Sequence, residues 1–342
     1  MDEEVRIDII VPVYNVAPYL NSFFESLLNQ TFQGFKVFVV YDESSDGSLT
    51  ILKDYEKKYQ EKITVMISPQ KNGVGAARDY VLESGLLKHE FIMFLDPDDY
   101  LEKEFLYKLI SASDQSKADL VVCGFDRIDE ETGKVLSRDM VHNAPEYQKD
   151  LWQKDTMAFV NPAVWNKLYR KEILKDVRFS KIKRAEDLFF HAQTILKVQS
   201  VYFINEILYH YRVRDDSLSN TIKKSEYDET IKCFKQMQID KEYVNVLTLL
   251  LFIRIAVGMT YRASIGDRKN IEYFVQRTES FFIELLPNWK KCEFLKLRNL
   301  KKHGIKGIAL WGCKKLYQIK SFSIYIHIYY FITKKFKKDI KI

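Results

Sequence analysis

Three carboxylates follow a single apolar run in "FIMFLDPDDYL", which spans Phe91–Leu101 and contains Asp96, Asp98 and Asp99. Two like charges about 4 Å apart repel by roughly 4 kcal/mol at the dielectric of a protein surface, so the cluster favours a cation. Asp96 and Asp98 can both reach one hard divalent cation, Mn²⁺ or Mg²⁺, whose other oxygen ligands are commonly substrate phosphates. Because Asp and Pro are also turn and helix-cap residues, an ordinary turn is the alternative interpretation.

Three further stretches supply groups suited to a nucleotide. Asp42 follows the apolar run of "VVYDESSDGS", where its carboxylate can accept a hydrogen bond from a base or ribose; capping of the next helix is the alternative. "NGVGAARD" begins at Asn72 and offers glycines for close backbone approach and Arg78 for an anionic group, although any Gly-rich turn before a helix looks similar. In "YHYR", His210 and Arg212 are predicted to face a diphosphate, and packing of the tyrosine pair is the alternative.

The elements that position these groups follow from the hydrophobic pattern. Short apolar runs alternate with helix-period segments over the first 125 residues, which predicts an α/β fold with a mainly parallel sheet covered by helices on both faces. Ligands bind such sheets beyond the carboxyl ends of the strands, where Asn15, Asp42 and Asp96 to Asp99 are expected. "PAVWNKLYRKEIL" and "RAEDLFFHAQTIL" are also predicted to be helical, and residues 224–286 all-helical. We therefore predict domains at 1–220 and 221–342.

Composition restricts the class of protein. The 342 residues are 46% hydrophobic and 29% charged, as in globular proteins, and the four cysteines form no C-x-x-C, which indicates a reducing compartment. The acidic N-terminus "MDEEVRIDII" and the absence of 18 consecutive apolar residues predict a protein that is neither secreted nor membrane-spanning. Net charge is +6, yet residues 301–342 hold 11 Lys and one Asp, so the rest is mildly acidic and no nucleic-acid groove is expected.

The basic tail has its own pattern. "SFSIYIHIYYFIT", residues 321–333, is too short to span a bilayer but is flanked by lysines on both sides. This arrangement predicts an interfacial segment at the cytoplasmic face of the cell membrane, where a lipid-linked acceptor would be found. The alternative is a final strand or helix that packs on the 224–286 helices.

Together the motifs resemble the family 2 glycosyltransferases with the GT-A fold, the bacterial inverting enzymes that use nucleotide-diphosphate sugars. The resemblance covers about the first 220 residues and rests on eight motifs in the family's order. They are "IIVPVYN", "SLLNQTF", "VVYDESSDGS", "NGVGAARD", "FLDPDDYL", "VWNKLYRKEIL", "AEDLFF" and "YHYRVRDDSLS".

The resemblance implies a role for each matched residue. Pro12, Tyr14 and Asp42 would frame the nucleotide base, Asp96 would lie near the ribose, and Asp98 would bind the metal. In "AEDLFF", Glu186 and Asp187 match the family's catalytic acidic pair, of which the Asp is the expected general base. A positioned carboxylate that takes the acceptor proton is worth about 10² to 10⁴ in rate, whereas a helix N-cap is the other reading of Asp187.

One departure from the family pattern concerns the nucleotide. Where the family usually has two acids and then Gly-Ser, this chain has Tyr41, Asp42, Glu43 and Ser44, so the first acid and the glycine are absent. Asp42 keeps the position expected to contact the base.

The leading interpretation is a metal-dependent inverting transferase, of the hexosyltransferase type, that moves a sugar from a UDP-sugar to a surface-glycan acceptor. Two alternatives remain open. One is a sugar nucleotidyltransferase, although "VPVYNVAPYL" lacks the Gly-rich basic loop it would need; the other is a membrane-associated, non-catalytic sugar-nucleotide-binding or scaffold protein.

Overall fold

The computed structural model describes residues 4–69, 73–141, 146–214 and 222–336. The chain forms two compact units: residues 1–151 with 161–216, and residues 152–160 with 217–342. The chain passes from the first unit to the second near residue 216, and the predicted boundary is at residue 220. Residues 152–160 join the second unit, a detail that no change of composition indicates.

Within its described residues the first unit is built on one mixed sheet. Its strands are β1 Ile7–Val13, β2 Phe35–Tyr41, β3 Ile63–Ile67, β4 Phe91–Phe94, β5 Tyr100–Leu101, β6 Leu120–Asp129, β7 Val135–Asp139, β8 Glu146–Lys149, β9 Lys167–Arg170 and β10 Ser200–Val213. The order is β3-β2-β1-β4-β9-β6-β10-β5, with β7 beside β6 and β8 beside β10. β1 to β4 are parallel; β9 is antiparallel to both β4 and β6, and β10 is parallel to β6. The carboxyl ends of six strands therefore meet at one edge.

Helices connect the parallel strands, as the alternating pattern predicts. They are α1 Ala17–Leu28, α2 Ser48–Lys58, α3 Gly73–Glu83, α4 Phe105–Ser116 and α6 Glu186–Ile195. All seven residues of β1 are buried, which is typical of a strand covered on both faces. On α1, Leu20, Phe23, Phe24 and Leu27 are buried at helical spacing and form its core face.

The prediction of a helix over "PAVWNKLYRKEIL" is wrong in its central part. Lys167–Arg170 forms β9, and only residues 171–174 form a single 3₁₀ turn. Leu168 and Tyr169 are each 1% exposed between β4 and β6. The ammonium of Lys167 is satisfied by the carbonyl oxygen of Asn161 at 2.8 Å and by the side-chain oxygen of Asn166 at 2.8 Å. Pairing with two strands distant in sequence thus outweighs the local helical pattern.

The described part of the second unit is mostly helical, which confirms the prediction of a helical C-terminal region. Its helices are α5 Thr156–Phe159, α7 Lys224–Phe234, α8 Val244–Leu251, a π-helix Phe252–Met259, α9 Thr260–Gly266, α10 Ile271–Leu285, α11 Leu297–Leu300, α12 Gly304–Gln318 and α13 Phe322–Phe336. Lys241–Gly266 forms the one stretch, among the described residues, that is long and apolar enough to cross a membrane. Because 72% of its most apolar window is buried inside the protein, it fits a core helix.

The tail segment is a helix with two different faces. On α13, Phe322 is 1% and Ile326 0% exposed, and the helix contacts α9, α10 and α12. Ile324 and Ile328 on the same helix are 57% and 54% exposed. Packing on the preceding helices therefore accounts for one face, and the membrane contact stays a prediction for the other.

Candidate functional site

The residues predicted to frame a nucleotide lie at the carboxyl ends of β1 and β2. Pro12 is buried within β1, while Tyr14, just beyond the strand, is 57% exposed. The backbone N–H of Asp42 donates to the carbonyl of Val13 at 2.9 Å, which holds the two strand ends together. The exposed ring of Tyr14 and the carboxylate of Asp42 thus belong to the same edge of the sheet.

Asp42 carries an unsatisfied oxygen. The residue is 7% exposed, and its buried Oδ1 has no hydrogen-bond partner among the described residues. The loop around it is braced: the Tyr41 hydroxyl accepts from the N–H of Ser44 at 2.9 Å, and Ser44 Oγ accepts from the N–H of Asn15 at 3.0 Å. Tyr41, which replaces the family's first acid, therefore supports the loop, and the role of Asp42 in nucleotide binding stays a prediction.

Asp99 is a structural member of the acidic cluster. Its carboxylate is 1% exposed and accepts from the Tyr209 hydroxyl at 2.6 Å and from the backbone N–H of Arg212 at 2.8 Å. Burial raises the pKa of Asp99 well above its ordinary value, and the charges of Asp98 and Asp96 add to the shift. Asp99 fixes the turn to β10, and Asp96 and Asp98 are the two acids that remain half-exposed.

Asp98 and Asp96 each face an arginine. Arg214 Nη2 lies 3.0 Å from Asp98 Oδ2, and Arg78 Nη2 lies 2.6 Å from Asp96 Oδ1. Burial raises the pKa of Asp98 to about 6, with repulsion from Asp96 adding to the shift. Across the described residues, no group of three or more His, Cys, Asp or Glu side chains is arranged to hold a metal ion. Asp96 and Asp98 are thus each paired with an arginine, and a metal ion at this pair stays a prediction.

The end of β10 contributes a cationic and aromatic wall. The guanidinium of Arg212 lies 5.4 Å from the ring centroid of Tyr19 and 5.2 Å from that of Tyr100, and Arg214 lies 5.3 Å from Tyr19. Arg212 Nε is buried without a partner in the described part of the chain. Nothing in the sequence singled out Tyr19, since it lies on α1 and meets this wall only through the fold.

The contacts of the His210 ring are with the protein's own acids and with Tyr100. Its Nδ1 lies 2.7 Å from Asp126 Oδ1 and its Nε2 3.0 Å from Glu102 Oε1, while the ring stacks on Tyr100 at 4.7 Å. Two carboxylates thus occupy both ring nitrogens. Of the pair His210 and Arg212, the arginine is the group better placed to meet an anion.

Glu186 and Asp187 form the first turn of α6, beside Arg78 of α3. Arg78 Nη1 donates to Asp187 Oδ1 at 2.8 Å. Burial raises the pKa of Asp187, while the charge of Arg78 opposes the shift. Burial and then repulsion from Asp187 raise the pKa of Glu186 to about 8. The pKa of about 8 leaves Glu186 mainly protonated at pH 7, and Asp187, whose charge Arg78 stabilises, is the member of the pair better suited to accept a proton.

One other predicted residue completes the account. Asn72 lies outside the described residues, and its role stays a prediction.

A family model and curated proteins of Bacillus subtilis match this chain. The family model described as "Glycosyl transferase family 2" matches residues 8–178. EpsH of Bacillus subtilis strain 168 is 29% identical over 240 residues, which are 68% of this chain and 68% of that protein. The uncharacterized glycosyltransferase EpsJ of the same strain is 30% identical over 251 residues, 70% of each chain.

A solved structure shares the fold. The crystal structure of S. aureus TarS 1–349 in complex with UDP-GlcNAc superposes with a TM-score of 0.70 at 21% identity and covers 92% of both chains. By sequence, the poly(ribitol-phosphate) beta-N-acetylglucosaminyltransferase TarS of Staphylococcus aureus strain Mu50 is 28% identical over 216 residues, 61% of this chain. The matched part is 36% of full-length TarS, so this chain spans about a third of that relative.

Proposed function

Since the chain belongs to glycosyl transferase family 2, we propose that it moves one sugar from a UDP-sugar to an acceptor hydroxyl in bacterial cell-surface glycan synthesis, with inversion at the anomeric carbon. The observation that carries this proposal is the convergence of Asp42, the pair Asp96 and Asp98, and Asp187 around one end of the sheet. These groups match the needs of base recognition, diphosphate neutralisation and proton removal.

Asp42 and Tyr14 are proposed to bind the uracil base. A buried acceptor without a partner costs about 1 to 3 kcal/mol, so Asp42 Oδ1 favours a ligand that brings an N–H or O–H. The exposed ring of Tyr14 supplies a flat apolar surface for a base to stack on. UDP-GlcNAc in the structural relative is in keeping with such a donor.

The residues around Asp98 fit a divalent cation. Asp98 and Asp96 are the proposed ligands, and Mn²⁺ or Mg²⁺ bound there would neutralise charge on the departing diphosphate. Burial and the charge of Asp96 raise the pKa of Asp98, which means that its ionised form is poorly stabilised. A positive charge in addition to Arg214 would therefore stabilise the ionised carboxylate. Arg212 and Arg214, which line the same end of β10, are proposed to contact the diphosphate itself.

Asp187 is the proposed general base. A sugar hydroxyl becomes an effective nucleophile when a positioned carboxylate takes its proton as attack proceeds. Asp187 is 24% exposed at its side chain, so an acceptor can reach it, and the charge of Arg78 lowers its pKa against the effect of burial. Glu186, mainly protonated at neutral pH, adds no second negative charge at this point.

A membrane contact is proposed for the face of α12 that is left open. Ile305 and Ile308 on α12 are 87% and 52% exposed at helical spacing, and Ile319, at the C-cap of the helix, is 67% exposed and falls on the same stripe. Lys315 lies on the same stripe and is exposed. Exposed isoleucines beside lysines suit an interfacial helix at anionic lipid, where each lysine contributes about 1 kcal/mol. A lipid-linked glycan acceptor would lie at that surface.

The function is tested by donor turnover. We expect the protein to release UDP from at least one of UDP-GlcNAc, UDP-glucose and UDP-galactose in the presence of Mn²⁺, because many transferases slowly hydrolyse their donor. GDP-mannose serves as the control for base recognition, and Asp42→Ala is expected to weaken UDP binding at least tenfold, about 1.4 kcal/mol. Binding of UDP without turnover of any donor would favour the non-catalytic alternative.

The membrane contact is tested by sedimentation with liposomes rich in anionic lipid. At low salt the wild-type protein is expected to pellet and Ile305→Ser/Ile308→Ser to stay in the supernatant. Ile283→Ser is the matched control, since Ile283 is 61% exposed on α10. Truncation before α12 is unsuitable, because Tyr317 and Phe322 are buried. Equal pelleting of all three proteins would contradict the contact.

A further inference from the structure

Arg78 is a fully buried charged group of the site. The residue is 1% exposed, and its two terminal nitrogens are engaged by carboxylates of different segments: Asp96 at 2.6 Å and Asp187 at 2.8 Å. The guanidinium also lies 5.1 Å from the ring centroid of Phe179. Although the sequence predicts that Arg78 contacts the donor, both Nη atoms are occupied by the protein's own acids.

The position of Arg78 is fixed from the helix that carries it. A Cβ added at Gly75, one turn earlier on α3, would lie 3.0 Å from Phe179 Cβ and 3.1 Å from the carbonyl oxygen of Ser180. The next residue, Asp79, accepts from the N–H of Phe179 at 2.9 Å. Glycine thus allows α3 to approach the segment before α6, and this approach brings Arg78 between Asp96 and Asp187.

We propose that Arg78 is a positioning residue of the transfer reaction, which sets the orientation of Asp187 relative to the donor-binding turn at Asp96. The inference rests on the proposed function. Because Arg78 holds Oδ1 of Asp187, Oδ2 is the oxygen assigned to take the acceptor proton. A planar guanidinium can serve two carboxylates at fixed angles, whereas the single ammonium of lysine keeps the charge without that geometry.

The test separates positioning from donor binding. For Arg78→Lys, we expect kcat for UDP release from the best donor of the panel to fall about 10²-fold, the cost of roughly 1 Å of misplacement. The Kd for UDP and the KM for the donor should stay within threefold of the wild type. Arg6→Lys is the matched control: Arg6 also bridges two carboxylates, Glu90 at 2.6 Å and Asp114 at 2.8 Å, at the amino end of β1. Its kcat should not change.

A second variant tests the same role by chemical rescue. Arg78→Ala removes the side chain, and millimolar guanidinium is expected to restore part of its kcat without changing the Kd for UDP; if this variant does not fold, Arg78→Lys decides. A more than tenfold rise in the Kd for UDP with unchanged kcat would make Arg78 a donor ligand and overturn the proposal, as would wild-type kinetics of Arg78→Lys. Asp187→Asn is measured in parallel: full activity of that variant would instead overturn the assignment of the base.

Discussion

Replacing Asp187 by asparagine is expected to abolish sugar transfer while UDP binds with near-native affinity. Asparagine has almost the same shape and keeps an oxygen for Arg78, but it cannot take a proton. The loss should therefore be about 10² to 10⁴ in kcat, the usual contribution of a general base. UDP release kinetics and UDP titration calorimetry measure the two effects separately. Donor contacts come from Asp42 and the turn at Asp96 and Asp98, so the affinity has no reason to fall.

Glu186→Gln is the matched control for the same turn of α6. Burial and repulsion from Asp187 raise the pKa of Glu186 to about 8, so the wild-type side chain is mainly neutral at pH 7 and glutamine resembles it. We expect this variant to keep most of its activity at pH 7. Loss of activity in Glu186→Gln together with retention in Asp187→Asn would exchange the two roles. The N-cap of α6 is Ala185, so collapse of UDP affinity in Asp187→Asn would mean that Asp187 acts structurally through its bond to Arg78 and not as the base.

The edge of the sheet could be predicted from the sequence because its signals are local. Each of β1, β2 and β4 is an apolar run that ends at a polar residue, and parallel strands bring such ends together. Asn15, Asp42 and Asp96 were predicted at this edge in this way, whereas Tyr14 was named only through the family resemblance. The assignment to a fold class needed only the alternation of apolar runs with helix-period segments. This alternation is visible in the sequence without knowing which strands pair with one another.

The contacts that the sequence did not reveal depend on residues far apart in the chain. β9 forms because β4 and β6 leave a space between them, and neither strand is near Lys167–Arg170 in sequence. Arg78 appeared to be a donor ligand because its partner Asp187 lies 109 residues away. Local patterns give the type of side chain at the site, and only the fold decides which charges pair before a ligand arrives.

Replacing Asp98 by asparagine is expected to remove the dependence of donor binding on Mn²⁺ or Mg²⁺ and to remove turnover. Asparagine keeps one oxygen but loses the charge that a hard cation requires from its protein ligands. Since burial raises the pKa of Asp98 to about 6, the side chain is ionised at pH 7.5, and keeping that charge in the folded protein costs stability. The neutral variant should therefore melt no lower than the wild type at pH 7.5, so that lost activity cannot be attributed to unfolding.

The measurement is UDP affinity and UDP release with Mn²⁺ and with EDTA. Wild-type protein should bind UDP more tightly with Mn²⁺, while Asp98→Asn should show the same weak affinity under both conditions. Glu104→Gln is the matched control. Glu104 is an exposed acid just before α4 that lies 3.5 Å from Lys108, and it is not among the residues proposed to bind the nucleotide sugar. Full turnover by Asp98→Asn in EDTA would show that Arg212 and Arg214 neutralise the diphosphate without a metal. That outcome would leave the proposed transferase function intact. The positive charge that neutralises the diphosphate would then come entirely from the arginines at the end of β10.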